Sequence, residues 1–174
     1  MEKDEFWNII EISNMDNNME ENLLSHLKKL ETSEIIEFQN IFLDLMAESY
    51  KFELLEVNFV ISSYVSDDVF NEFRGWLISN GFSRYDKALE DPETIAEWLK
   101  QNEIEEIHDC KIHQVAEEAF LAVGGSHENF FDSLIYPENP EITVDWPESK
   151  KEFSDKYPKI VSSFWNQELI NELH

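Results

Sequence analysis

The chain has 174 residues, enough for one core that removes roughly 70% of its unfolded surface from water and too few for two comfortable ones. Its 38 acidic residues against 13 basic ones give a formal charge of -25 at pH 7, which argues against an unassisted grip on nucleic acid or anionic lipid. The single cysteine, Cys110, excludes an internal disulfide, and no stretch is apolar for long enough to cross a bilayer.

Four Gly and five Pro punctuate the chain and strict two-residue alternation is scarce, so helices are expected throughout. Phe6, Trp7, Ile9 and Ile10 form the apolar stripe of a first helix that fades in the Asn14 to Asn18 region. Leu23, Leu24, Leu27 and Leu30 repeat at helical spacing in a second. Thr32 or Ser33 caps a third, whose buried face carries Ile35, Ile36, Phe38, Ile41, Phe42, Leu45 and Met46. From Phe52 to Ile61 the chain is apolar nearly all round, which suits a central helix, with a buried strand as the competing reading.

Ser66-Asp67-Asp68 supplies a hydroxyl cap and two carboxylates for the first turn of the next helix, which runs through Phe70, Phe73, Trp76 and Leu77 to a stop at Gly81. Asp91-Pro92 opens another, ahead of Ile95, Ala96 and Leu99. The spacing of Ile107, Val115, Ala116, Ala119, Phe120 and Val123 predicts one long amphipathic helix from Ile104 to Val123, ended by Gly124-Gly125. After a short Phe130 to Tyr136 segment, Pro137, Pro140 and Pro147 keep the chain looped or extended. Glu148 to Lys156 holds a turn of helix, and Pro158 opens a last helix with Ile160, Val161, Phe164 and Trp165. The expected fold is all-α: a compact single-domain bundle of about seven to nine helices over 1–174, irregular near 137–147.

The residues Ser66-Asp67-Asp68, Phe70, Phe73-Arg74-Gly75-Trp76-Leu77-Ile78, Gly81, Tyr85, Ala88-Leu89 and Asp91-Pro92 resemble the domain-of-unknown-function family 4240. Phe6-Trp7, the Glu34-Ile35 to Phe42 stretch and Ala116-Glu117-Glu118-Ala119 before Gly124 are similar too. The likeness covers about 4–125 and returns near Tyr157-Pro158, leaving 126–174 as an extension expected to pack on the same core. Leu55 stands where the family often has Trp, and Ser63-Tyr64 where it often has Gly-Gly. The resemblance implies a mainly helical fold and a bacterial setting, and brings no activity.

Two groups of side chains are candidates for function. Asp67, Asp68 and Arg74, with Ser66 and Trp76 beside them, can bind a cation, orient a polar ligand, or form a capped helix whose Arg pairs with a carboxylate or packs over Trp76. The span holding Glu90, Glu93, Glu97, Glu103, Glu105, Glu106 and Asp109, opposed by Lys100, offers either a solvated face or an anionic surface for a basic partner. Tyr136 and Trp146, set among prolines and acids, serve either as an exposed aromatic anchor or as cover for the core.

Other constellations are weaker. Glu105-x-x-His108 is half of a di-metal pattern with no second copy in the chain, so no metal site is expected. Asp109, Glu105 and Glu106 would raise the pKa of Cys110, which disfavours a nucleophile paired with His113. Ser126-His127-Glu128 carries triad residue types only as sequence neighbours. Without a phosphate-cradling loop or dinucleotide fingerprint, no cofactor is expected.

The start Met1-Glu2-Lys3-Asp4-Glu5 lacks a secretory pattern, so the expectation is a cytoplasmic protein. Its expected role is an acidic binding module, of the immunity or inhibitor type, that covers a basic partner such as a toxin or nucleic-acid-handling protein. Catalytic residues, direct nucleic-acid contact and membrane contact are not expected. The alternative is a small-ligand binder or hydrolase-like enzyme using Asp67, Asp68 and Arg74.

Overall fold

The computed structural model describes residues 1–16 and 18–166. Among them are eleven α-helices and two 310 segments, and no strand. In chain order these are α1 (Lys3–Ser13), α2 (Met19–Leu27), α3 (Thr32–Glu48), α4 (Phe52–Ser62), α5 (Asp67–Ser79), α6 (Phe82–Glu90), 310 segments at Pro92–Glu97 and Gln101–Glu103, α7 (Ile104–Asp109), α8 (Ile112–Ala122), α9 (His127–Asp132), α10 (Lys150–Lys156) and α11 (Pro158–Phe164). The all-α expectation holds. Asn17, in the region where the first helix was expected to fade, and the part of the 126–174 extension beyond Asn166 lie outside the described residues.

The buried apolar residues form one continuous cluster drawn from α1 through α11. Phe6, Phe38, Phe42, Phe73 and Phe153 are its largest fully buried side chains. α4 lies at the centre, as its apolar character all round requires: Leu54, Val57, Val60 and even Glu56 and Asn58 are shut off from solvent. Glu56 is tolerated there because Tyr157 and Lys156 donate to its Oε2 at 2.6 and 2.5 Å.

Three local expectations change. The long helix from Ile104 to Val123 is two helices, broken at Cys110-Lys111, where Cys110 is extended (φ -66, ψ 117) and the Lys111 N–H donates to the Glu20 carboxylate. The break lets α7 pack on α5 while α8 packs against α2, α3 and α5. Gly81 does end α5, but at φ 89 it restarts the chain at once as α6, whose buried Tyr85 donates to the Leu45 carbonyl at 2.6 Å. The start of α3 is set by Glu31, whose N–H donates to Glu34 Oε2 at 2.8 Å, rather than by Thr32 or Ser33. These extra divisions raise the helix count above the seven to nine expected.

The helix-free stretch is real and long. Over residues 134–147 the chain has no helix, turn or bend, so it runs extended across the molecule. One end is tied where the Ile135 N–H donates to Asn40 Oδ1 of α3 at 2.8 Å. The other is tied where Trp146 packs edge-on against Phe52 and Phe59 of α4, with ring centroids 5.1 and 5.6 Å away. Beneath it lie two clefts.

Candidate functional site

Ser66 caps α5 as its position requires, its Oγ accepting the Val69 N–H at 3.2 Å. Asp67 and Asp68 follow in the first turn, both exposed, where their charge opposes the positive end of the helix. Arg74 is 3% exposed, and neither of the contacts expected of it in a capped helix, with a carboxylate or over Trp76, is the one it makes. Among the described residues it reaches no carboxylate, and it does not lie over Trp76. Nε donates to the Phe70 carbonyl at 3.3 Å, and the terminal nitrogens donate to the Met46 carbonyl and to Asn71 Oδ1. The guanidinium lies over the rings of Tyr50 and Phe70, 5.0 and 4.7 Å from their centroids. Burial pulls its pKa down to about 10, opposed by Tyr50, Tyr85 and Asp67. Trp76 belongs elsewhere, stacked on Trp98 at 5.0 Å, with Arg84 over the far ring.

Gly75, between these two, is where α8 meets α5. A Cβ at this position would lie 2.4 Å from His113 Nε2 and 2.8 Å from its Cε1, so the missing side chain is the notch that holds the imidazole. Phe42 meets the same ring edge-on, 5.3 Å away between centroids. Nε2 is buried with no hydrogen-bond partner. Burial lowers the His113 pKa, against a weaker raising effect of the Asn71 backbone, so the ring is neutral at pH 7.

The first cleft opens above this junction. It has a volume of about 580 Å³ and is walled by Phe42 and Leu43 of α3, Asp68, Asn71 and Arg74 of α5, His113 and Glu117 of α8, Phe130 and Phe131 of α9, and Leu134 and Tyr136 of the extended stretch. Gln39 lies in its floor. This residue is 6% exposed, and its amide makes no hydrogen bond among the described residues. Neither amide atom is fully sealed from solvent, so the group faces the cleft. Asp68 and Arg74 of the expected polar cluster therefore share a cleft, whereas Asp67, Ser66 and Trp76 do not line it. Gln39 and His113 were missed as cleft residues. The signal for Gln39 was present: it is the one amide on the buried face formed by Ile35, Phe38, Phe42, Leu45 and Met46.

A second cleft, of about 650 Å³, lies under the other half of the extended stretch, between Pro140, Glu141, Ile142 and Thr143 and the Tyr50–Phe52 and Leu89–Pro92 regions.

The acidic span does not form one free surface. Glu93 is 9% exposed and faces inward, its two oxygens accepting the N–H groups of Lys159 and Ile160 at 2.9 and 3.1 Å in the first turn of α11. Glu97 pairs with Lys159 at 2.9 Å, and Glu103 with Lys100 at 3.3 Å; each partner holds its carboxyl below the usual range. Glu90, Glu105, Glu106 and Asp109 remain exposed. Trp146 covers the core of α4, while Tyr136 stays 61% exposed.

Among the described residues no group of three or more His, Cys, Asp or Glu side chains is arranged to hold a metal ion. His108 faces Glu72 at 3.5 Å rather than its sequence neighbour Glu105. Burial pushes the Cys110 thiol up to about 11, and Cys110 lies in the α7–α8 break while His113 lies on α8. Ser126 caps α9, accepting the Asn129 N–H at 3.2 Å, and His127 pairs with Glu117 at 2.6 Å.

These features define an all-helical protein with a polar-floored cleft beneath an extended segment. The chain belongs to the family described as a protein of unknown function (DUF4240), which matches residues 1–122 and so ends with the last residue of α8. No curated protein and no solved structure matches the chain. No helix among the described residues is long and apolar enough to cross a membrane.

Proposed function

We propose that this protein is an acidic protein-binding module whose partner is a basic protein, the relation that an immunity or inhibitor protein has to a toxin. The observation that carries this reading is the surface of residues 131–144. Phe131, Ile135, Tyr136 and Val144 are the large apolar side chains exposed there, Ile135 by 69%. They sit in a span, 112–149, that contains eight acidic residues and no Lys or Arg. Exposed aromatic and aliphatic anchors inside a single-sign field fit the anatomy of a binding face that selects an oppositely charged partner. The backbone supports the same reading: residues 135–148 make no backbone–backbone hydrogen bond, and apart from the Ile135 and Glu148 N–H groups, which donate to Asn40 and Glu152, their peptide groups are open to an incoming strand.

The test places a photoreactive phenylalanine analogue at position 136 in the native host and identifies what it captures. The expected product is a basic protein that binds the purified chain directly, more weakly as salt rises, and at least tenfold more weakly to a Tyr136→Asp, Ile135→Asp variant. Capture of acidic proteins alone, or binding indifferent to both salt and the double variant, refutes the proposal.

A further inference from the structure

We propose that the cleft over Gln39 and Arg74 binds a small zwitterionic amino carboxylate with an apolar or aromatic side chain. This inference is independent of the protein-binding reading. Three features of the cleft point to such a ligand.

The first is Gln39. A buried amide is normally hydrogen-bonded, because desolvating it without a partner is unfavourable. Gln39 is more than nine-tenths buried, makes no bond within the described protein, and lines the cleft, so a ligand with polar atoms would complete it.

The second is the charge on Arg74. Among the described residues no carboxylate lies within ion-pair distance of it. Its three hydrogen bonds leave one N–H on each terminal nitrogen without a protein partner. A carboxylate is the complementary ligand group for a guanidinium in this state.

The third is Asp68, which lines the same cleft, is exposed and forms no ion pair. Six residues along α5 separate Asp68 from Arg74 by about 9 Å of helix rise. Arg74 turns back toward Phe70 and Asn71, which shortens the gap between the charged groups. An ammonium toward Asp68 and a carboxylate toward Arg74 are the two charged groups that one amino acid carries. A ligand with no net charge also meets no repulsion from a protein of charge -25, as a simple carboxylate would. Phe42, Leu134 and Tyr136 supply the apolar wall for its side chain.

Calorimetry and thermal shift on the full chain test this with phenylalanine, with 3-phenylpropionate, which lacks the ammonium, and with phenethylamine, which lacks the carboxylate. Phenylalanine is expected to bind saturably with a Kd between about 10 µM and 1 mM, the range open to a ligand of this size. Both analogues are expected to bind at least tenfold more weakly. Gln39→Leu and the exposed Asp68→Asn are each expected to weaken phenylalanine at least tenfold while the circular dichroism spectrum stays unchanged. The inference is overturned if phenylalanine, leucine and tyrosine all fail to bind up to about 10 mM, well above that range. Equal binding of either analogue, or an Asp68→Asn variant that binds as tightly as the parent, overturns it as well.

Discussion

Gly75→Ala separates two physical effects that predict opposite signs. Gly75 lies in the interior of α5, where Ala is favoured over Gly by about 1 kcal/mol on helix propensity alone. The new methyl, however, would stand 2.4 Å from His113 Nε2, 2.8 Å from Cε1 and 3.2 Å from Ile112 Cγ2, all well inside ordinary contact. Phe42 packs edge-on against the imidazole, so relief requires the ring or α8 itself to shift. Overpacking of this kind costs about 2–3 kcal/mol, and the net loss of stability is about 1–2 kcal/mol. Urea denaturation followed by circular dichroism measures it, with a melting temperature lower by a few degrees in a chain of this length. In a His113→Ala background the obstacle is gone, and the same Gly75→Ala change is expected to be neutral or stabilising, a coupling above about 1 kcal/mol. Stabilisation by Gly75→Ala in the parent, or the same loss in both backgrounds, would show that the notch does not fix the helix crossing.

Ser63 has φ 60 at the C-terminus of α4, a left-handed conformation that disfavours any side chain with a Cβ; Ser63→Gly is expected to stabilise the protein by about 0.5–1 kcal/mol, read as a raised urea midpoint. Glu93→Ala removes two charge-assisted bonds to the start of α11 and is expected to lower stability by about 2–3 kcal/mol, with Glu93→Gln recovering part of it; an unchanged midpoint would refute the capping role. His113 is neutral in the fold because burial lowers its pKa, so the unfolded chain takes up a proton first as pH falls. Its contribution is therefore full above about pH 6.5 and is lost progressively as pH falls from there through the folded-state pKa. A comparison of urea midpoints between pH 7.5 and 5 should show a steeper fall for the parent than for His113→Gln, and equal slopes would refute it.

Cap chemistry was the most legible part of the structure. Ser66, Asp91 and Gly81 mark real boundaries, because those groups act on the backbone beside them. The break at Cys110-Lys111 was not legible: neither Gly nor Pro stands there, and the turn is held by Glu20, ninety-one residues away in sequence. The same limit explains Arg74. Its spacing from Asp67 and Asp68 suggests a local ion pair, yet beside Phe70 and Asn71 on its own helix its partners are the Met46 carbonyl on α3 and the ring of Tyr50, which only the packed fold brings within reach. Ser63 is a gain from structure of the opposite kind. Its left-handed φ at the end of α4 is a conformation in which helix termination alone favours glycine.

The family match stops after residue 122, but the packing does not. Glu56 of α4 is balanced by Lys156 and Tyr157, Phe59 meets Phe153 at 5.7 Å, and Glu93 holds the first turn of α11. A chain cut at residue 122 would turn one face of its central helix into an apolar surface with a bare carboxylate in the middle. What is inherited as a recognisable sequence unit is therefore smaller than what folds together. Relatives that share only the first 122 positions must cover α4 in some other way, with different residues at 56, 59 and 93 or with a second chain, and those three positions are where that difference should be sought.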